Sequence, residues 1–160
     1  MNLLSVAIAF MATLFTVLAF HRLLTRHVSR ERRDNVCSLF RLEPSEFLLL
    51  GTDLGKSAKK IFLVGDDLIG VPDALFRRKR DNVIVVGEAK SRRYDGKVLL
   101  RERYQVMLYL GVAMLKYSRP AFGILRYGCG RCIEVEFNRE DYDNLRRQIP
   151  KFRKANIAQR

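Results

Sequence analysis

With 160 residues the chain has room for one domain of ordinary size with its own core. It carries 30 Lys and Arg against 17 Asp and Glu, a formal net charge of +13 and a pI of about 10.2. That balance attracts polyanions, either nucleic acid or an anionic lipid surface. Three cysteines leave one over from any pairing, and no internal repeat or low-complexity tract is present. A disulfide framework and a repeat array are therefore excluded.

The first twenty residues, MNLLSVAIAFMATLFTVLAF, contain no charged side chain. Between Leu3 and Phe20 the polar residues are Ser5, Thr13 and Thr16, whose hydroxyls can bond back to a helix. About 18 apolar residues is near the minimum for crossing a bilayer, and Leu23 and Leu24 extend the run if Arg22 snorkels. A secretory signal would place its basic residues first, whereas here they follow, in HRLLTRHVSRERR. The positive-inside rule then predicts a transmembrane anchor over residues 1–24, in the cell inner membrane, with the body in the cytoplasm. A buried core helix is the rival, and hydrophobicity all round the segment argues against it. Residues 25–42 read as a basic juxtamembrane linker or helix carrying Arg26, Arg30, Arg32 and Arg33. A cytoplasmic body keeps Cys37, Cys129 and Cys132 reduced.

The soluble domain is expected over residues 43–160. Pro44 breaks any helix, and PSEFLLLGTD suggests a short helical turn capped by Gly51. KIFLVGDDLIGVPDALF reads as a strand, a Gly-Asp-Asp turn and a second strand. RRKRDN is a polar turn, and VIVVGEAK is a third strand whose unbroken apolar run predicts burial on both faces. VLLRERYQVMLYLGVAMLKY spaces its apolar residues at three and four, as an amphipathic helix does, and Pro120 ends it. AFGILRY and RCIEVEF flank GCG as a hairpin. From Asn138, a fitting N-cap, a basic helix runs on, bent at Pro150. The order implies an α/β domain with a mixed central sheet flanked by helices.

Chemistry concentrates on one of those hairpins. Asp73 and Glu88 lie on neighbouring strands and can converge at the open end. Two carboxylates beside the backbone carbonyl of Ala89 suit Mg²⁺ or Mn²⁺, hard cations that prefer oxygen and retain waters. Lys90, two residues beyond Glu88, points to the same face and can hold water or stabilise charge on a phosphate. A metal, a water and an electrophile stabiliser at one strand end are the equipment for phosphodiester hydrolysis. The bland reading is a Pro-Asp turn and a solvated strand end, but charges ending a buried strand need a partner or a metal.

The Pro72–Asp73 and Glu88–Ala89–Lys90 motifs resemble those of the PD-(D/E)XK nuclease superfamily. Gln105 and Tyr109, a Q-x-x-x-Y pattern in the following helix, narrow the resemblance to its RecB-type branch. It covers about residues 43–137 and implies a restriction-endonuclease-like core and a metal-dependent nuclease acting on DNA, with strandedness left open. Positions i and i+4 share a helical face, so Gln105 could order the lysine, a water or a phosphate, and Tyr109 could contact DNA. Arg92 and Arg93, directly after Lys90, would meet substrate phosphates. The basic runs Arg77–Arg80 and Arg146–Lys154 serve DNA or anionic lipid, the latter worth about 1 kcal/mol per residue near the surface.

The sequence departs from the branch in two ways. The histidine ligand expected before the first strand is reduced to His27, with Glu43 and Glu46 as alternatives. The cysteines fall one short of the four that an iron–sulfur cluster needs, so a cluster is not expected. The rival function is a non-catalytic nucleic-acid-binding or membrane-associated scaffold on the same fold, against which the intact Asp73, Glu88 and Lys90 speak.

Overall fold

The computed structural model describes residues 30–55, 59–65 and 68–158, with residues 150–158 given by backbone alone. The expected anchor over residues 1–24 and His27 lie outside the described residues. Among the described residues no helix is long and apolar enough to cross a membrane. The chain forms two compact units, Met1–Asn35 and Val36–Arg160. Residues 30–39 are helical (α1). Within the second unit Val36, Cys37 and Phe40 are buried in a core cluster, so residues 36–40, read from the sequence as part of a linker or helix, belong to the packed domain.

The unit is α/β, built on a mixed five-stranded sheet. Its strands are β1 (Phe47–Thr52), β4 (Ala74–Arg78), β5 (Ile84–Lys90), β6 (Ala121–Tyr127) and β7 (Cys132–Glu136), adjacent in that order. A two-stranded ribbon, β2 (Leu63–Val64) with β3 (Ile69–Gly70), stands apart from the sheet. All pairings are antiparallel except β5 with β6, which run parallel and are joined by α2 (Leu100–Tyr117). A parallel pair needs such a crossover, because a tight turn can only reverse the chain. The last helix, α3 (Arg139–Ala158), starts where Asn138 Oδ1 accepts the Asp141 N–H at 2.9 Å, the expected N-cap, and continues through Pro150.

Two expectations change. FLLLGT is not a helical turn but the edge strand β1, paired with β4 from Phe47↔Arg78 to Thr52↔Ala74. Three consecutive leucines have no period of their own, and the free edge of β4 decides their conformation. The segment 60–76 does not form two full strands: only Leu63–Val64 and Ile69–Gly70 pair before β4 begins at Ala74.

Strand alternation sorts the core onto the two faces of the sheet. Leu75, Ile84, Val86 and Leu125 join Val106, Leu110 and Ala113 of α2 on one face. Ala74, Phe76, Val85 and Ile124 join Val36, Cys37 and Phe40 on the other. Gly87, on the second face, gives the Phe40 ring its room, since a Cβ there would overlap it. β5 is buried from Ile84 through Glu88, as its apolar run predicts. By the same parity Asp73 follows Leu75, and Glu88 and Lys90 follow Val86, so all three charges point to the α2 face.

Candidate active site

The β4–β5 register, Ala74↔Gly87 through Arg77↔Ile84, sets Asp73 beside the end of β5. The Asp73 backbone is held from β1: its carbonyl accepts the Thr52 hydroxyl at 2.6 Å and the Asp53 N–H at 2.9 Å. Its carboxylate oxygen Oδ2 accepts the Ala89 N–H at 2.7 Å, which fixes the side chain against β5. In a strand the N–H and C=O of one residue leave on the same side, so the Ala89 carbonyl faces the same way as Asp73.

The five side chains expected at the site converge. Lys90 Nζ donates to Glu88 Oε1 at 3.0 Å and to Gln105 Oε1 at 2.7 Å. The Gln105 amide returns a hydrogen bond to Glu88 Oε1 at 2.7 Å and reaches the Tyr109 hydroxyl oxygen at 3.3 Å. Gln105 therefore bridges the sheet and its neighbour one turn along α2, the arrangement its i, i+4 spacing to Tyr109 implies. Gly70 on β3 lies against the Tyr109 ring so closely that a Cβ there would overlap it.

Glu88 is 6% exposed, and its second oxygen, Oε2, is buried with no hydrogen-bond partner among the described residues. Burial, and then the neighbouring Asp73 carboxylate, push its pKa up; the hydrogen bond and charge of Lys90, and more weakly the nearby Asp73 backbone N–H, pull the other way. Burial likewise raises the Tyr109 hydroxyl. An orphaned buried carboxylate oxygen costs free energy that a cation would recover. The donor set of Asp73, Glu88 and the Ala89 carbonyl fits a hard divalent ion that keeps several waters. Among the described residues no group of three or more His, Cys, Asp and Glu side chains comes together.

Of the candidates for a further N-terminal ligand, the two within the described residues, Glu43 and Glu46, do not reach this place. Glu43 and Glu46 are exposed, and the Glu46 carbonyl accepts the Lys79 N–H, at the turn end of β4. From there to Asp73 is the length of the strand, roughly 16 Å at about 3.3 Å per residue. The Arg77–Arg80 run lies at that same distant end, where Arg78 Nε bonds Asp81 Oδ1 at 2.9 Å.

Arg92 also departs from expectation. Its guanidinium grips Glu102 of α2 by two bonds, Nε to Oε1 at 2.7 Å and Nη2 to Oε2 at 2.8 Å, and adds Asp95 at 3.1 Å. It lies 4.8 Å from the centre of the Tyr127 ring. Glu102 is 4% exposed, accepts the Tyr127 hydroxyl at 2.9 Å, and takes the Leu99 N–H at 3.2 Å as half of a capping box. Hydrogen bonds from Arg92, chiefly, hold the Glu102 pKa down to about 2, while burial and Glu102 push Tyr127 up to about 12. Arg92 is thus committed to pinning the start of α2 to the end of β5, whereas the neighbouring Arg93 is exposed. An acid in the first turn of the helix, at the third position after Leu99, was the available sequence signal for this clamp.

One residue beside the site escaped the sequence reading. Arg101, four positions before Gln105 on the same stripe of α2, lines a hollow of about 290 Å³ with Lys90, Ser91, Arg92, Glu102 and Gln105. The cysteines lie elsewhere: Cys37 is buried in the core, Cys129 is exposed in the β6–β7 turn, and Cys132 is half-buried.

Comparison with known proteins finds no matching family model and no matching curated protein. A solved structure described as "Crystal structure of SSO0001" shares 18% identity over 91% of this chain and 68% of that chain, with a TM-score of 0.39. A likeness of that degree carries no argument about fold or function.

Proposed function

We propose that the protein is a Mg²⁺- or Mn²⁺-dependent nuclease of restriction-endonuclease-like architecture, hydrolysing DNA phosphodiester bonds. The observation that carries this reading is the buried, partnerless Glu88 Oε2 within one network of Asp73, Lys90, Gln105 and Tyr109. The PD and E-A-K motifs, with Q-x-x-x-Y behind them, support membership of the RecB-type branch. Asp73, Glu88 and the Ala89 carbonyl would hold the ion, which when bound lowers the pKa of water and neutralises phosphate charge.

The rest is work for the chain's own groups. Lys90 brings a positive charge to the strand end, where it orients a nucleophilic water or steadies an anionic phosphoryl oxygen. Gln105 accepts from Lys90 and donates to Glu88, which keeps the ammonium aimed and both groups in one rotamer. The Tyr109 hydroxyl accepts from Gln105 and keeps its own proton available to a phosphate oxygen. Arg93 and the basic helix α3 add salt-sensitive affinity for the nucleic-acid backbone. The apolar N-terminal segment would tether the domain to the cytoplasmic face of the inner membrane, restricting cleavage to DNA at that surface.

The test uses the full chain in detergent with single- and double-stranded DNA and RNA, with and without Mg²⁺ or Mn²⁺. Metal-dependent cleavage by the wild type, lost in Asp73→Ala and Lys90→Ala, is the expected outcome. Absence of cleavage on every substrate sinks the enzyme, and binding without cleavage assigns the scaffold role instead. Cleavage that survives in both variants places the site elsewhere.

A further inference from the structure

A groove of about 450 Å³ opens beside the site, between α2, α3 and the β2–β3 ribbon. The α2 wall is a single stripe, Arg101, Tyr104, Gln105, Leu108 and Tyr109, at spacings of three and four. Leu145 and Ile149 of α3 face it, and Ile69, 71% exposed, closes it from the ribbon. Two of its members, Gln105 and Tyr109, also belong to the network around Glu88 and Lys90. Groove and site are therefore continuous.

Among the described residues the lining is apolar and aromatic with one cation, Arg101, at the end nearest Lys90. Arg101 borders both the groove and the hollow that contains Lys90. It makes no ion pair or hydrogen bond with the described residues, whereas Arg92 and Arg103 nearby are both paired. Tyr104 is 39% exposed and its hydroxyl makes no hydrogen bond with the described residues, so its ring is presented as a surface. A flat apolar ligand joined to an anion suits this combination. A lipid headgroup would call for several cations, and an apolar peptide would leave Arg101 unused.

We propose that this groove is a subsite for an unpaired nucleobase next to the phosphate at Glu88 and Lys90. Tyr104 provides the stacking face and Arg101 the contact to the adjoining phosphate. The inference rests on the phosphodiester reading of the neighbouring site and deepens it. Paired bases hide their faces in the stack, so the groove selects a nucleotide that is single-stranded or flipped out. A volume of this size lies in the range of single small ligands and holds one such unit. Stacking tolerates every base, so recognition here is of strand state rather than of sequence.

The test is binding by the full chain in detergent with EDTA, where no cleavage occurs. The probe is a short single-stranded oligonucleotide in which a fluorescent purine analogue, or an abasic unit, is moved one position at a time. One position should show quenched fluorescence, and loss of its base should weaken binding about tenfold. Tyr104→Ala should cost about as much and erase the position dependence, Tyr104→Phe should restore it, and Arg101→Ala should reduce the salt slope. Tyr104 lies on a helix surface, and far-UV circular dichroism verifies that each variant is folded. Binding indifferent to position, or unchanged in Tyr104→Ala, overturns the subsite, as does absence of binding. A concentration-dependent dimer that Tyr104→Ala dissociates, without position dependence, gives the groove to a second copy and also overturns it. Cleavage with Mg²⁺ is scored on the same proteins. Position-dependent binding without cleavage removes the nuclease reading alone, and cleavage with unaltered KM in Tyr104→Ala removes the subsite alone.

Discussion

Replacing Glu102 by Gln cuts the clamp that ties α2 to the end of β5. The carboxylate takes four hydrogen bonds: two from Arg92, one from the Tyr127 hydroxyl and one from the Leu99 N–H. Gln keeps the shape and one acceptor oxygen, so the main loss is the charge-assisted fork with Arg92. Hydrogen bonds to charged groups contribute about 1.5–3 kcal/mol each, and breaking a fully buried pair costs about 3–5 kcal/mol. The Arg92 side chain keeps 25% of its surface in water. Solvent therefore recovers part of the loss, and about 2 kcal/mol remains. For a chain of 160 residues that lowers Tm by about 4–8 °C. The effect has a pH signature. The Glu102 pKa is depressed to about 2 in the folded state, against an ordinary value of 4.5. Its stabilisation is complete above about pH 4.5 and disappears as pH falls through about 2, so wild type and Glu102→Gln should converge in acid. Thermal melts at pH 7 and pH 3, followed by far-UV circular dichroism because the chain has no Trp, measure both. A loss under about 0.5 kcal/mol at pH 7, the range of ordinary surface pairs, would refute the reasoning. So would a gap that stays constant into acid.

Glu88→Gln removes a carboxylate whose pKa is raised by burial and by Asp73, so ionising it opposes folding. In metal-free buffer at pH 7 the variant should melt higher than wild type, and the gain should vanish toward pH 4, where the wild-type group is protonated; thermal melts at the two pH values decide. Added Mn²⁺ should raise the wild-type Tm and leave that of Glu88→Gln unchanged, as ligand linkage requires. Gly70→Ala drives a Cβ into the Tyr109 ring, and removing the ring's contact to Gln105 should reduce cleavage more than tenfold while the melt shifts by only a few degrees. Phe40→Ala, which empties a site between Phe76 and Gly87 in the second core cluster, should cost about 3–5 kcal/mol in urea denaturation. Thiol titration of the native protein should find Cys129 reacting first, since it is exposed and backbone N–H donors lower its pKa, and buried Cys37 only on unfolding.

Much of the site was legible in one dimension. Strand parity puts Glu88 and Lys90 on one face, a hairpin brings Asp73 back to them, and an i, i+4 pair presents Gln105 and Tyr109 together; each is a local rule of backbone geometry. The apolar run before Glu88 likewise declared a buried strand, and Asn138 a helix start. What stayed hidden depends on partners far away in sequence. FLLLGT is a strand only because β4 offers an unpaired edge, and Glu46 is no ligand only because β1 runs antiparallel and carries it to the wrong end of the sheet. Arg92 looked like a free cation beside Lys90 until α2 returned Glu102 to it across ten residues of loop and first helical turn. Arg101 and Tyr104 gained significance only once α3 and the ribbon enclosed the space in front of them. The sequence alone determined which groups could do chemistry and which way they point along their own elements. The tertiary structure decided which charges neutralise one another, because pairing energy depends on distance and burial, and neither is written in local periodicity.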